Sequence, residues 1–145
     1  MGRETKFRAF WNGNIFRVNT VSMDGLTMNI DLTGFEGHSA HESKWVDALY
    51  EPKAILIQYT GLKDKSGKEI YEFDVIIHND NQYVIRYSDN LGIIALATTK
   101  EYSSFEGIVK RNHRYRDQAW LYNVQKYLSV IGNVFENPEL LGDIK

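Results

Sequence analysis

The sequence predicts a mainly β chain with a few short helices, a β-rich α+β fold of about seven to eight short strands in a small barrel-like or sandwich core. Three observations carry that expectation. Apolar and polar residues alternate in short runs along most of the chain, the period of half-buried strands. Turn-forming residues separate the runs at close spacing, among them Asn12-Gly13, Asp64-Lys65-Ser66-Gly67 and the stretch "NDNQ" at 79–82. The 145 residues are 43% hydrophobic and 13% aromatic, enough to bury one core, and two prolines mark no linker, so a single domain over 1–145 is expected.

The elements follow in order. In "KFRAFWNGNIFRV", Phe7, Ala9 and Trp11 point one way and Lys6, Arg8 and Phe10 the other. Asn12-Gly13 supplies the two positive-φ residues of a tight hairpin turn. Residues 21–35 alternate more loosely, with Gly25 and Gly34 as punctuation. Ser39-Ala40-His41-Glu42 has the spacing of a capping box, which predicts one or two helical turns to about Tyr50, with a strand as the alternative because of Trp45-Val46. "AILIQY" reads as a buried strand. "EIYEFDVIIHN" reads as another, with Ile70, Glu72, Asp74 and Ile76 opposing Tyr71, Phe73, Val75 and Ile77. "YVIRYS" and "IIALAT" follow, the second entered through Asp89-Asn90-Leu91-Gly92. Residues 117–128 suit a short helix with Trp120, Leu121, Val124 and Leu128 on one face, "LSVIGNVF" suits a strand, and Asn137-Pro138-Glu139 opens a last helical turn.

The glycine-and-lysine stretch 58–76, "QYTGLKDKSGKEIYEFDVI", invites a phosphate-loop reading and does not support one. Gly61 and Gly67 are separated by five residues instead of four, and Glu69 stands where a hydroxyl should hold Mg²⁺. A calcium loop fails as well, since Lys68 replaces its third oxygen ligand. A type I turn fits: Asp64 caps the backbone from its first position and Gly67 takes the positive φ that rejoins the returning strand. This hairpin is expected to lie at the centre of the fold.

Composition narrows the function classes. There is no cysteine, which excludes disulfides, thiol catalysis and cysteine zinc sites and suits a cytoplasmic location. No long apolar run predicts a membrane span and no leader pattern predicts secretion. Lys6 stands where a myristoylation signal carries Ser or Thr. Net charge is −2, spread as six basic and seven acidic groups in 1–57, five and six in 58–100, and six and six in 101–145. No basic domain of the kind that drives nonspecific nucleic-acid binding results.

"KFRAFW", "QYTGLKDKSGKEIYEFDVI" and "IGNVFENPELL", in that order, resemble the YopX-like family of small proteins carried by bacteriophages and prophages of Gram-positive bacteria. The anchors span nearly the whole chain, while 19–53 and 98–128 look individual. The resemblance implies a phage or prophage context, a bacterial host cell and a β-rich fold. It implies no mechanism. Within the central motif Tyr59, Gly61, Asp64, Gly67, Tyr71 and Asp74, and toward the end Asn137 and Pro138, are read as structural. One position departs from the family pattern: Phe73 stands where the family usually has Gly between Glu and Asp. A Gly there suits a positive-φ kink, which Phe does not reach cheaply, so either the backbone is regular here or the family's Gly serves a different need.

Few residues point to chemistry. His38 and His41, with Glu36 and Glu42 nearby, have metal-ligand spacing but no distant third ligand, so no metal and no cofactor are expected. Asp74 and His78 share a strand face and lack a nucleophile or oxyanion feature, and Asp74 more simply accepts backbone hydrogen bonds at a strand start. The chain is therefore not expected to be an enzyme. "VKRNHRYR" at 109–116 brings Lys110, Arg111, Arg114 and Arg116 beside Tyr115, a pattern that can contact phosphates and stack on bases, or be a solvated loop. Tyr71, Phe73, Tyr83 and Tyr87 form either a stacking face or core pairs. Two readings stay open: a nonenzymatic binding or regulatory module acting on a host or phage protein, and, less favoured, a nucleic-acid accessory protein using 109–116. A homo-oligomer is compatible with either.

Overall fold

The computed structural model describes residues 6–33, 35, 42–88, 92–97, 102 and 116–141. The chain divides into two compact units, residues 1–59 and 60–145.

The first unit is antiparallel sheet. Strands β1 (Phe7–Trp11), β2 (Asn14–Val21), β3 (Thr27–Asp31), β4 (Ser43–Asp47) and the first part of β5 (Ile55–Lys63) lie in the order β4-β3-β2-β1-β5. The β1–β2 hairpin forms as its sequence predicts. Trp11 pairs with Asn14, and Asn12 and Gly13 take φ of 50° and 86° in the two-residue turn between them. Alternation sends Ala9, Phe16, Met28, Ile30 and Val46 to one face, where Leu32 and Ala54 complete a buried cluster. A bulge between Val18 and Thr20 keeps both Val18 and Val21 on that core side.

The helical turns predicted from the capping-box spacing do not form at 43–47, which is strand β4. There Met28 pairs with Val46 and Asn29 with Trp45, so the apolar period that matters is two. Ser39, Ala40 and His41 lie outside the described residues.

The second unit begins with the rest of β5, which pairs with β6 (Glu69–Tyr71). A second sheet has the order β10-β9-β8-β7-β11, from β7 (Asp74–His78), β8 (Asn81–Ser88), β9 (Gly92–Ala97), β10 (Arg116–Asp117) and β11 (Ser129–Asn133). Helix α1 (Gln118–Val124) leads into a 3₁₀ turn (Gln125–Tyr127), and a second 3₁₀ turn (Pro138–Leu141) follows β11. The helix is shorter than the predicted 117–128, and Leu128 is already extended, but the apolar residues gather as expected: Leu121 and Leu128 are buried with Ile70, Ile76, Tyr83, Ile85, Ile93 and Ala95, and Trp120 and Val124 pack against them. Asp117 caps α1 through a bond from Trp120 N–H at 3.0 Å. Val75, Val84 and Leu141 form a separate cluster, so β7 and β8 bury both faces and read as continuous apolar runs.

Fold class is as predicted, mainly β, and the sheets are open: one ends at β4 and β6, the other at β10 and β11. The barrel alternative does not form. The described residues hold eleven strands, more than expected, partly because the run 69–78 is not one strand. It breaks between β6 and β7 at Phe73, whose φ is 71°. This rules out the first of the two alternatives, a regular backbone at Phe73. Phe73 takes the conformation for which Gly is suited, and tertiary contacts hold it there: its N–H donates to Ile85 O at 2.7 Å and its carbonyl accepts from Val134 N–H at 3.0 Å. Its ring meets Phe135 edge-on at 5.1 Å and lies 4.6 Å from the Arg86 guanidinium.

Candidate functional site

Most of the motif residues singled out above build the fold. Asp64 caps its turn as predicted, with Oδ1 accepting from Ser66 and Lys68 N–H, both at 2.9 Å. Its other oxygen accepts from Val130 N–H at 2.9 Å, a bond to β11 that sequence spacing does not reveal. Burial raises the Asp64 pKa, but the backbone donors of Val130, Lys68 and Ser66 and the Lys68 charge outweigh it and hold the carboxyl below its ordinary value. Gly67 takes φ of 83° with open space around it, so its need is conformational. Asp74 accepts from Tyr71 N–H at 2.8 Å where β7 begins. Tyr59 and Tyr71 are buried, and Gly61 takes φ of 85° within β5. Asn137 accepts from Asn133 N–H at 3.2 Å through its side chain, closing the turn ahead of Pro138.

Among the described residues, those considered for chemistry are not brought together. Asp74 and His78 stand at opposite ends of β7, about 13 Å apart along a strand, and the His78 ring packs edge-on against Trp120 at 5.5 Å. Tyr71, Phe73 and Tyr83 are buried, which leaves Tyr87 as the exposed member of that aromatic set and no stacking face. Glu36, His38 and His41 lie outside the described residues, and among the described residues no group of three metal-ligating side chains occurs. Lys110, Arg111, Arg114 and Tyr115 also lie outside them. Arg116 is described: it pairs with Ala95 in β10 and its guanidinium lies 5.9 Å from the Trp120 ring centre.

A different site emerges in the first unit, from two bends closed by aspartates. In the first, Ser22 Oγ donates to Asp24 Oδ1 at 2.7 Å and Leu26 N–H donates to the same oxygen at 3.0 Å. Those two bonds, the hydroxyl first, hold the Asp24 carboxyl below its ordinary value. Thr27 N–H donates to Ser22 Oγ at 3.1 Å, so the bend 22–27 is closed from both sides. In the second bend, Asp47 Oδ1 accepts from the N–H groups of Leu49 and Tyr50. Ala54 N–H donates to Asp47 O at 2.8 Å and the Trp11 indole N–H donates to Pro52 O at 3.0 Å. Ala48 N–H donates to Leu26 O at 2.8 Å and joins the two bends.

These fixed bends present apolar side chains to solvent. Met23 is fully exposed, Leu49 is 50% and Tyr50 73% exposed, and Leu26 is partly so. None of these was singled out in the sequence. The signal was there: an aspartate two residues before an apolar residue, at Asp24–Leu26 and Asp47–Leu49, is the spacing of an Asx turn.

Comparison with known proteins finds likeness over nearly the whole chain. A family model described as YopX protein matches residues 6–142. The crystal structure of protein EF1440 from Enterococcus faecalis is similar in fold, with a TM-score of 0.57 and 24% identity over 97% of this chain and 99% of that one. No curated protein matches the sequence.

Proposed function

This chain belongs to the YopX protein family, and we propose that it is a nonenzymatic binding or regulatory module, encoded by a phage or prophage and acting in the bacterial cytoplasm on a host or phage protein. The observation that carries the reading is the pair of capped bends. Met23, Leu26, Leu49 and Tyr50 are exposed on backbone fixed by Asp24, Asp47 and the Ala48–Leu26 bond. Large apolar groups in solvent gain nothing for folding, and on fixed backbone they lose little freedom when a partner covers them. Tyr is enriched among residues that dominate protein interfaces, and Met adapts its shape to the surface it meets. No helix among the described residues is long and apolar enough to cross a membrane, which is compatible with that location.

Affinity capture from phage-carrying cells, scored for both protein and nucleic acid, tests the reading. The wild-type chain is expected to retain a defined protein, and the double variant Leu49→Ser, Tyr50→Ser to retain at least tenfold less of it. Capture unaffected by the double variant would remove the bends from the proposal.

A further inference from the structure

We propose that the second unit carries a binding site for single-stranded nucleic acid, with Lys63, Lys65 and Lys126 as phosphate contacts and Tyr122 and Tyr127 as stacking residues. Hydrogen bonds to the backbone bring these residues together. Lys63 N–H donates to Gln125 Oε1 at 3.3 Å, and Gln125 Nε2 donates to Tyr122 O at 2.9 Å. Lys65 N–H donates to Leu128 O at 3.0 Å, and Val130 N–H donates to Asp64 Oδ2 at 2.9 Å. The two lysines are thus tied to Gln125 and Leu128, the residues on either side of Lys126 and Tyr127 in the chain. Leu62 packs inward on the cluster of Leu121 and Leu128, and strand alternation sends Lys63 outward. Along α1 and the 3₁₀ turn after it, Tyr122, Asn123, Lys126 and Tyr127 are all exposed.

Stability does not account for this surface. Tyr122 is 66% and Tyr127 70% exposed. The three lysines are exposed as well, and among the described residues no carboxylate forms an ion pair with any of them. Residues 118–135 contain no acid. Asp64, between Lys63 and Lys65, has both oxygens on backbone N–H groups, and Glu69 accepts from the Tyr71 hydroxyl at 3.2 Å. Asp64 holds the turn, and the lysine side chains beside it take no part in that. The mixture selects the ligand class. Concentrated positive charge calls for a polyanion. A membrane surface would need an apolar wedge, whereas the exposed residues between the two tyrosines, Asn123 and Lys126, are polar. An acidic peptide would use the lysines and leave two aromatic faces without a matching group. Single-stranded nucleic acid uses both, with phosphates on the lysines and bases on the tyrosine rings. None of these residues belongs to the basic run 109–116.

Fluorescence anisotropy of a short labelled oligothymidylate, titrated with the full chain at several salt concentrations, tests the site, with polyglutamate and anionic phospholipid vesicles as competitors. Binding is expected, with log K falling against log salt at a slope of about −2.1 for three single-strand phosphate contacts. Lys65→Gln keeps the backbone bond to Leu128 and should reduce the slope to about −1.4. Tyr127→Ala should weaken binding roughly tenfold, and Tyr127→Phe should largely restore it. Binding unchanged in Lys65→Gln and Tyr127→Ala, polyglutamate or vesicles that bind as tightly as oligothymidylate, or no binding at low salt would each overturn the assignment.

Discussion

Bends in the first unit and turns in the second use the same aspartate chemistry to opposite ends. Asp24 and Asp47 accept from amides two or three residues away, and the apolar residues beside them face solvent. Asp64 and Phe73 instead reach across the sequence, to Val130 and to Ile85 and Val134, and the side chains around them, Tyr71 and Phe73, are buried. A locally satisfied bend can hold a side chain outward because nothing else depends on where it points. A turn bonded to a distant strand holds the fold. The first kind suits recognition, the second stability, and substitutions should separate them.

The largest effect is expected at Asp64. Asp64→Ala removes three backbone bonds to one carboxylate and should cost on the order of 3–4 kcal/mol, read by chemical denaturation. The same carboxylate gives a pH signature. Its folded pKa is depressed, so its contribution is complete above the ordinary value of 3.8 and is lost as pH falls through the lower folded value. In Asp64→Ala the acid-induced loss of stability below that value should be shallower than in the wild type. A variant that melts with the wild type would show that the Val130 bond does not hold β11.

Phe73 comes next. Phe73→Ala should cost about 3 kcal/mol, because the ring's contacts with Phe135 and Arg86 go while the positive φ stays. Phe73→Gly should be more stable than Phe73→Ala by about 1 kcal/mol, the reverse of the usual order in β structure, because Gly reaches φ of 71° without strain. The usual order, Ala above Gly, would show that the left-handed conformation is not kept.

Gly67→Val should cost less, about 1–2 kcal/mol. Nothing lies within 4 Å of the added Cβ, so only the strain at φ of 83° acts. An unchanged melting curve would refute the turn geometry.

The same contrast explains what could be read from the sequence. Asn12-Gly13 and Asp64–Gly67 were legible because the residues that set each turn are the turn itself. The α1 face was legible because its helical period runs through Trp120, Leu121 and Val124, and Leu128 joins the same cluster just after the 3₁₀ turn. Phe73 was not, since the bonds that hold its φ come from residues 85 and 134, and the alternation through 69–78 continues past it without a mark. β4 was ambiguous for a related reason. The spacing Ser39–Glu42 favours a cap locally, and pairing with β3 decides for a strand. The candidate site escaped notice because Met23, Leu26, Leu49 and Tyr50 look like core residues in a β sequence, and only their exposure on fixed bends sets them apart.

The smallest effect on stability is expected where the effect on binding is largest, and one measurement takes both. The Leu49→Ser, Tyr50→Ser chain is compared with the wild type by thermal melting and by quantitative capture from phage-carrying cells. The account predicts melting curves that differ by no more than about 0.5 kcal/mol, as for exposed positions, together with a loss of at least tenfold in captured protein. A variant that unfolds, or one that stays folded and captures as the wild type does, would contradict the division between turns that hold the fold and bends that meet a partner.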